Sequence, residues 1–166
     1  RPRQRIEAEV IRDRLMQMSG DLDPRMYGKG TLSLTDPRRS VYLTVKRSKL
    51  LPFLQLFDAP DAIEGKEIRN ETNSAPQSLT LLNSKFVREM SAKLATRIKA
   101  DSNEALVTQL YWETFSRTPR PQELIYLAEF LSRQTNLYEG DAKAADKAKI
   151  DLCQLLICSN EFVYVD

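Results

Sequence analysis

The feature that most constrains this chain is a succession of helix-length apolar stripes that begins at Pro76 and runs almost to the last residue, each closed by proline, glycine or a polar break. Pro76 suits the first turn of a short helix ending near Asn83. Ser84 is placed to cap the next helix, whose stripe is Phe86, Met90, Leu94 and Ile98 with Val87 beside it. Asp101 and Glu104 have the spacing of a capping box for a helix to about Phe115, with Leu106, Val107, Leu110 and Tyr111 as its core side. Pro121 fits the first position of a helix to about Tyr138, which Gly140 ends. A last helix is expected from near Asp141 to about Asn160. Consecutive amphipathic helices joined by short breaks bury their stripes only against one another, so a bundle is expected.

The front of the chain reads differently. Residues 3–19 form a helical pattern with Ile6, Val10, Ile11, Leu15 and Met18 inward and Gly20 as a left-handed C-cap. Residues 20–40 hold three of the five glycines and two prolines and read as a long loop, with a brief extended piece at 31–34. Residues 41–47 alternate like a strand but equally suit a short helix, and seven residues leave both open. A short apolar helix is expected at 52–57, followed by a turn at 58–61. The expected fold is mainly α and a single domain. It has a loop-rich basic N-terminal lobe (1–61) with room for one short strand or hairpin, a polar connector (62–74), and a helical bundle of four to five helices (75–166).

Composition narrows the chemistry. A chain of 166 residues can bury roughly 70% of its unfolded surface, enough for a core without metal or disulfides. There is no histidine, which removes the commonest metal ligand and the usual neutral-pH base, so acid–base work would fall to Asp, Glu, Lys or Tyr. No stretch reaches the ~18 apolar residues of a membrane span. The chain starts at Arg1 rather than Met and reads as a piece of a longer protein, so a missing leader says nothing of location. Cys153 and Cys158 stand about 500° apart on a helix, equivalent to about 140°, on different faces. They read as small buried hydrophobes, not as a disulfide, a metal pair or a reactive thiol. After them, Asn160 and Glu161 are expected to end the helix, and Phe162, Val163, Tyr164 and Val165 to pin the tail to the bundle.

Residues 1–49 carry 12 Lys/Arg against 6 Asp/Glu, while residues 50–166 carry 13 against 17. Within the basic front, Arg38, Arg39, Lys46, Arg47 and Lys49 surround Tyr42, a set able to hold phosphate, sulfate or an acidic glycan. The competing reading is internal pairing, with Arg38 and Arg39 capping carbonyls or meeting Asp58 and Asp61. Asp21 and Asp23 offer hard oxygens but lack the rest of a calcium loop. Glu7, Glu9 and Asp13 supply carboxylates that any helix surface supplies. Gly28-Lys29-Gly30 is a flexible loop element without the longer phosphate-loop pattern. Thr72, Asn73 and Gln77 sit where they can satisfy the first N–H groups of the Pro76 helix, an end that could also take an anion.

Five runs in order, DPRRSVYLTVKRS, LFDAPD, TNSAPQSLTLLN, FSRTPRPQE and DLCQLLICSNEFVYVD, resemble the C-terminal domain of unknown function 1553 (DUF1553), across about residues 5–166. The resemblance implies a planctomycete-type, multidomain parent exported to the cell envelope or periplasm. It also implies haem c in an upstream domain of the parent, with no cofactor in this one. It brings no catalytic residues. Two departures stand out: Arg120 occupies a cap position where relatives place Thr, weakening that helix start by ~1 kcal/mol, and the loop at 20–35 is compact.

The function expected from these features is a non-catalytic assembly or ligand-binding module. Its partners would be the other domains of its parent chain and an anionic glycan, with Arg38, Arg39, Tyr42, Lys46, Arg47 and Lys49 as the binding set. Two alternatives stand beside it: a carboxylate-based hydrolase of acidic polysaccharide, and nucleic-acid binding through the basic lobe.

Overall fold

A computed structural model of the chain describes residues 3–46, 48–60 and 72–165. The chain is mainly α. Its elements are β1 (Gln4–Arg5), α1 (Ala8–Ser19), a 3-10 turn (Ser40–Tyr42), α2 (Pro52–Leu56), α3 (Ala75–Asn83), α4 (Lys85–Arg97), α5 (Asn103–Phe115), α6 (Pro121–Leu137), α7 (Ala144–Ile157), α8 (Asn160–Val163) and β2 (Tyr164–Val165). Arg47, Asp61 and most of the expected connector fall outside the described residues.

The bundle forms where the stripes require it. α7 lies between α4 and α6, α5 packs on α6, and α1 lies along α4. Phe86, Val87, Met90, Leu94 and Ile98 are all buried, as are Leu106, Val107, Leu110 and Tyr111. Each such large apolar side chain contributes about 1.5–3 kcal/mol on burial. Pro121 opens α6 as expected, and Glu123 accepts the Arg120 N–H at 2.6 Å. The arginine side chain has no acceptor to return, so only half of a capping box is possible.

Several local expectations are corrected. α1 starts at Ala8, because Gln4 and Arg5 are drawn into an antiparallel pair with Val165 and Tyr164. Its inner face is Ala8, Ile11, Arg12, Leu15 and Met16, while Val10 is exposed. Gly20 does take the left-handed C-cap, at φ 82°. Residues 41–46 are neither strand nor helix: the 3-10 turn is followed by single bridges, Thr31 to Leu43 and Lys46 to Lys49. Ser102, not Asp101, caps α5, accepting the Ala105 N–H at 3.1 Å. Ser84 precedes α4 without a side-chain capping bond. The last helix breaks at Cys158–Ser159, and Asn160 and Glu161 open α8 where they were expected to end α7. The tail is pinned as expected, with Phe162 fully buried and Tyr164–Val165 paired to β1. No helix among the described residues is long and apolar enough to cross a membrane.

Candidate functional site

The N-terminal lobe is organised by two arginines. Arg12 projects from α1 with no exposure at all. Its Nε donates to the Leu34 carbonyl at 2.8 Å, Nη1 to the Arg38 carbonyl at 3.0 Å and the Ser40 hydroxyl at 3.1 Å, and Nη2 to the Asp36 carbonyl. One side chain thus satisfies the carbonyls of a loop that has no ladder of its own. Asp13 beside it accepts the Ser40 N–H at 2.8 Å and hydroxyl at 2.6 Å. Burial lowers the Arg12 pKa, and Asp13 opposes that shift. Paired this way, Arg12 is a structural cation, and Asp13 is engaged by Arg12 and Ser40.

Arg38 makes the second clamp. Its guanidinium lies 4.7 Å from the Tyr42 ring centre, and donates to the Tyr27 carbonyl at 3.3 Å and to that of Lys29. The Tyr42 hydroxyl accepts the Tyr27 N–H at 2.5 Å. Between these partners Tyr27 is held at φ 68° and Gly28 at φ 99°. Left-handed backbone is rare for a bulky residue and persists only where surroundings impose it. A Cβ on Gly30 would come within 3.2 Å of the Tyr42 carbonyl, so that glycine allows the two loops to approach. The Tyr27 ring itself is 80% exposed.

Of the six residues expected at the site, Arg38 and Tyr42 are therefore brought together, with Arg38 engaged internally. Arg39, Lys46 and Lys49 are exposed on the same lobe, and Arg47 lies outside the described residues. The expected partnership of Arg38 with Asp58 does not form: Asp58 takes Arg5 at 2.6 Å and the Thr72 N–H at 2.8 Å. The cavity against Val45 and Lys49 is only about 40 Å³ and mostly apolar, too small for a sugar ring. Asp21 meets Lys93, and Asp23 bonds Arg25 at 2.7 Å. Among the described residues no group of three or more His, Cys, Asp or Glu is placed to hold a metal. Gln77 turns its amide to the Leu56 carbonyl at 2.9 Å and accepts the Ser74 N–H at 3.2 Å.

A family model for PSD1, described as a protein of unknown function (DUF1553), matches residues 1–131. The chain belongs to this family. The DUF1553 match includes the basic lobe and reaches into α6. It contains the first four of the five runs that carry the resemblance, while DLCQLLICSNEFVYVD lies beyond it. No curated protein and no solved structure matches the chain.

Two features of this DUF1553 chain are not legible in its sequence. The significance of Tyr27 lies in a backbone angle, for which the Tyr-Gly pair in a glycine-rich loop is the only local signal. A cleft of about 320 Å³ between β1 and the tail, lined by Arg5, Asn73, Asn160 and Tyr164, depends on residues far apart in sequence and leaves no local trace.

Proposed function

We propose that this DUF1553 chain is a non-catalytic ligand-binding module whose N-terminal lobe holds an anionic glycan, as one unit of an exported, envelope-associated multidomain bacterial protein with haem c in an upstream domain. The observation that carries the reading is Tyr27: an exposed aromatic ring, on backbone held in a left-handed turn by Arg38 and Tyr42, in a lobe that also exposes Arg39, Lys46 and Lys49. A rigid ring packs against the apolar face of a sugar at small entropic cost, and Met26, next to it in the chain, is also exposed. Arg39, Lys46 and Lys49 supply charge for carboxylate or sulfate groups.

The hydrolase alternative draws less support. Glycoside hydrolysis needs one carboxyl held protonated. Asp23 and Asp36 are shifted the other way, Asp23 by the hydrogen bond from the Arg25 side chain and Asp36 by the Arg38 N–H.

Calorimetric titration with an oligogalacturonate, beside a neutral oligosaccharide of equal length, tests the proposal. Saturable binding of the acidic chain alone, weakening with salt and without release of shorter products, is the expected result. Product release abolished by Asp or Glu variants would overturn it, as would preference for single-stranded nucleic acid over the glycan.

A further inference from the structure

Residues 24–30, Pro-Arg-Met-Tyr-Gly-Lys-Gly, are exposed throughout and contain no carboxylate. Met26 is 69% exposed and adjoins Tyr27 in the turn that Arg38 and Tyr42 hold. Arg25 precedes the pair; its guanidinium bonds Asp23, yet its side chain is still 82% exposed. Lys29 follows, its ammonium without an ion pair among the described residues. The apolar face of one sugar covers one ring and leaves Met26 in water. A membrane interface uses these same residue types together. Apolar side chains enter the acyl boundary, an aromatic ring sits at headgroup level, and Lys and Arg keep their charge in the polar layer.

We propose that the anionic glycan held by this lobe is the headgroup of a glycolipid, and that residues 25–29 seat on the lipid surface that carries it. The proposal rests on the basic-lobe reading and names the source of its ligand. Tyr27 stacks on the sugar, Met26 enters the acyl boundary beside it, and Arg25 and Lys29 meet the headgroup charge. Charge selects an anionic layer over a zwitterionic one: Asp23 answers Arg25, Lys29 is left unanswered, and residues 1–49 hold 12 Lys/Arg against 6 Asp/Glu. The turn is already fixed by Arg38 and Tyr42, so little backbone freedom is lost on seating. One methionine and one ring bury too little to anchor the chain on lipid alone, so the sugar contact and the lipid contact act together.

The test is co-sedimentation of the whole chain with phosphatidylcholine vesicles carrying glucuronosyl diacylglycerol. Parallel arms use phosphatidylcholine alone, phosphatidylcholine with phosphatidylglycerol at equal surface charge, and soluble oligogalacturonate. The expected result is saturable binding to the glucuronosyl vesicles, at least about tenfold weaker binding to the phosphatidylglycerol vesicles and none to phosphatidylcholine. Met26→Ser, at an exposed position, should weaken vesicle binding about tenfold and leave the affinity for soluble oligogalacturonate unchanged. Met26→Leu should restore it, because the contact needs an apolar side chain and not sulfur. Unchanged vesicle binding in Met26→Ser would overturn the proposal, as would equal binding to the phosphatidylglycerol vesicles, which would make this a general anionic surface. Binding of soluble oligogalacturonate without binding to the glucuronosyl vesicles would overturn the lipid source and leave the basic-lobe reading intact. Absence of binding to either would overturn both.

Discussion

The Arg38 guanidinium lies 4.7 Å from the centre of the Tyr42 ring while its Nη1 reaches the Tyr27 carbonyl at 3.3 Å. One cation is therefore shared between an aromatic face and a strained turn, and it fixes the place of an exposed tyrosine. Arg38→Lys should fail to replace it, because an ammonium cannot stack flat on the ring while donating to two carbonyls. A loss of about 1–2 kcal/mol in urea unfolding is expected for both Arg38→Lys and Arg38→Ala. Faster amide exchange at residues 27–31 should accompany it.

Arg12 is the deeper dependency. Arg12→Met keeps most of the volume but strands the carbonyls of Leu34, Asp36 and Arg38 together with the Asp13 carboxylate. About 3–5 kcal/mol should be lost, the penalty of breaking a buried charged network from one side. Chemical denaturation measures the loss, and exchange should show residues 34–40 opening first.

Acid stability should depend on the junction of the α5–α6 loop with the tail. Arg117 donates to Glu123 at 2.8 Å and to Glu161 at 2.6 Å. Hydrogen bonding to Arg117 is the largest cause that lowers the Glu123 carboxyl from 4.5 to about 2. A carboxyl with a lowered folded pKa contributes stability that is complete above its unfolded value and is lost as pH falls through the folded one. The Glu123 share should disappear between about pH 4.5 and 2, and Glu123→Gln should flatten the urea midpoint against pH over that interval.

Both thiols should be inert in the folded chain. Burial raises Cys153 to about 12 and Cys158 to about 11, so neither offers thiolate near neutral pH. Labelling by iodoacetamide at pH 7.5 should track global unfolding for Cys153 and run far below a free-thiol rate for Cys158. Rapid labelling of either would contradict the packing described.

The helices of the bundle were legible because the breaks between them are proline, glycine and polar runs, whose effects are local. What was illegible depends on partners distant in sequence. Arg5 leaves the expected first helix because Tyr164 pairs with it, a relation no window along the chain contains. Arg12 sits on an apolar face and reads as an interruption until the loop carbonyls it satisfies are in place. The break at Ser159 frees Phe162 to reach a fully buried position under the Arg14 guanidinium, 4.4 Å from its ring. The basic cluster was visible as composition, but the division of labour within it was not: Arg38 is spent on the fold, and Arg39, Lys46 and Lys49 are left to solvent.

The most direct measurement is the affinity of Tyr27→Gly for oligogalacturonate. Glycine accepts φ 68° at no steric cost and keeps the N–H that Tyr42 receives, so the turn survives while the ring is removed. The expected result is an unchanged melting temperature within about 2 °C with binding weakened at least about tenfold, the worth of one stacked aromatic contact. Unaltered affinity in a folded Tyr27→Gly chain would contradict the account.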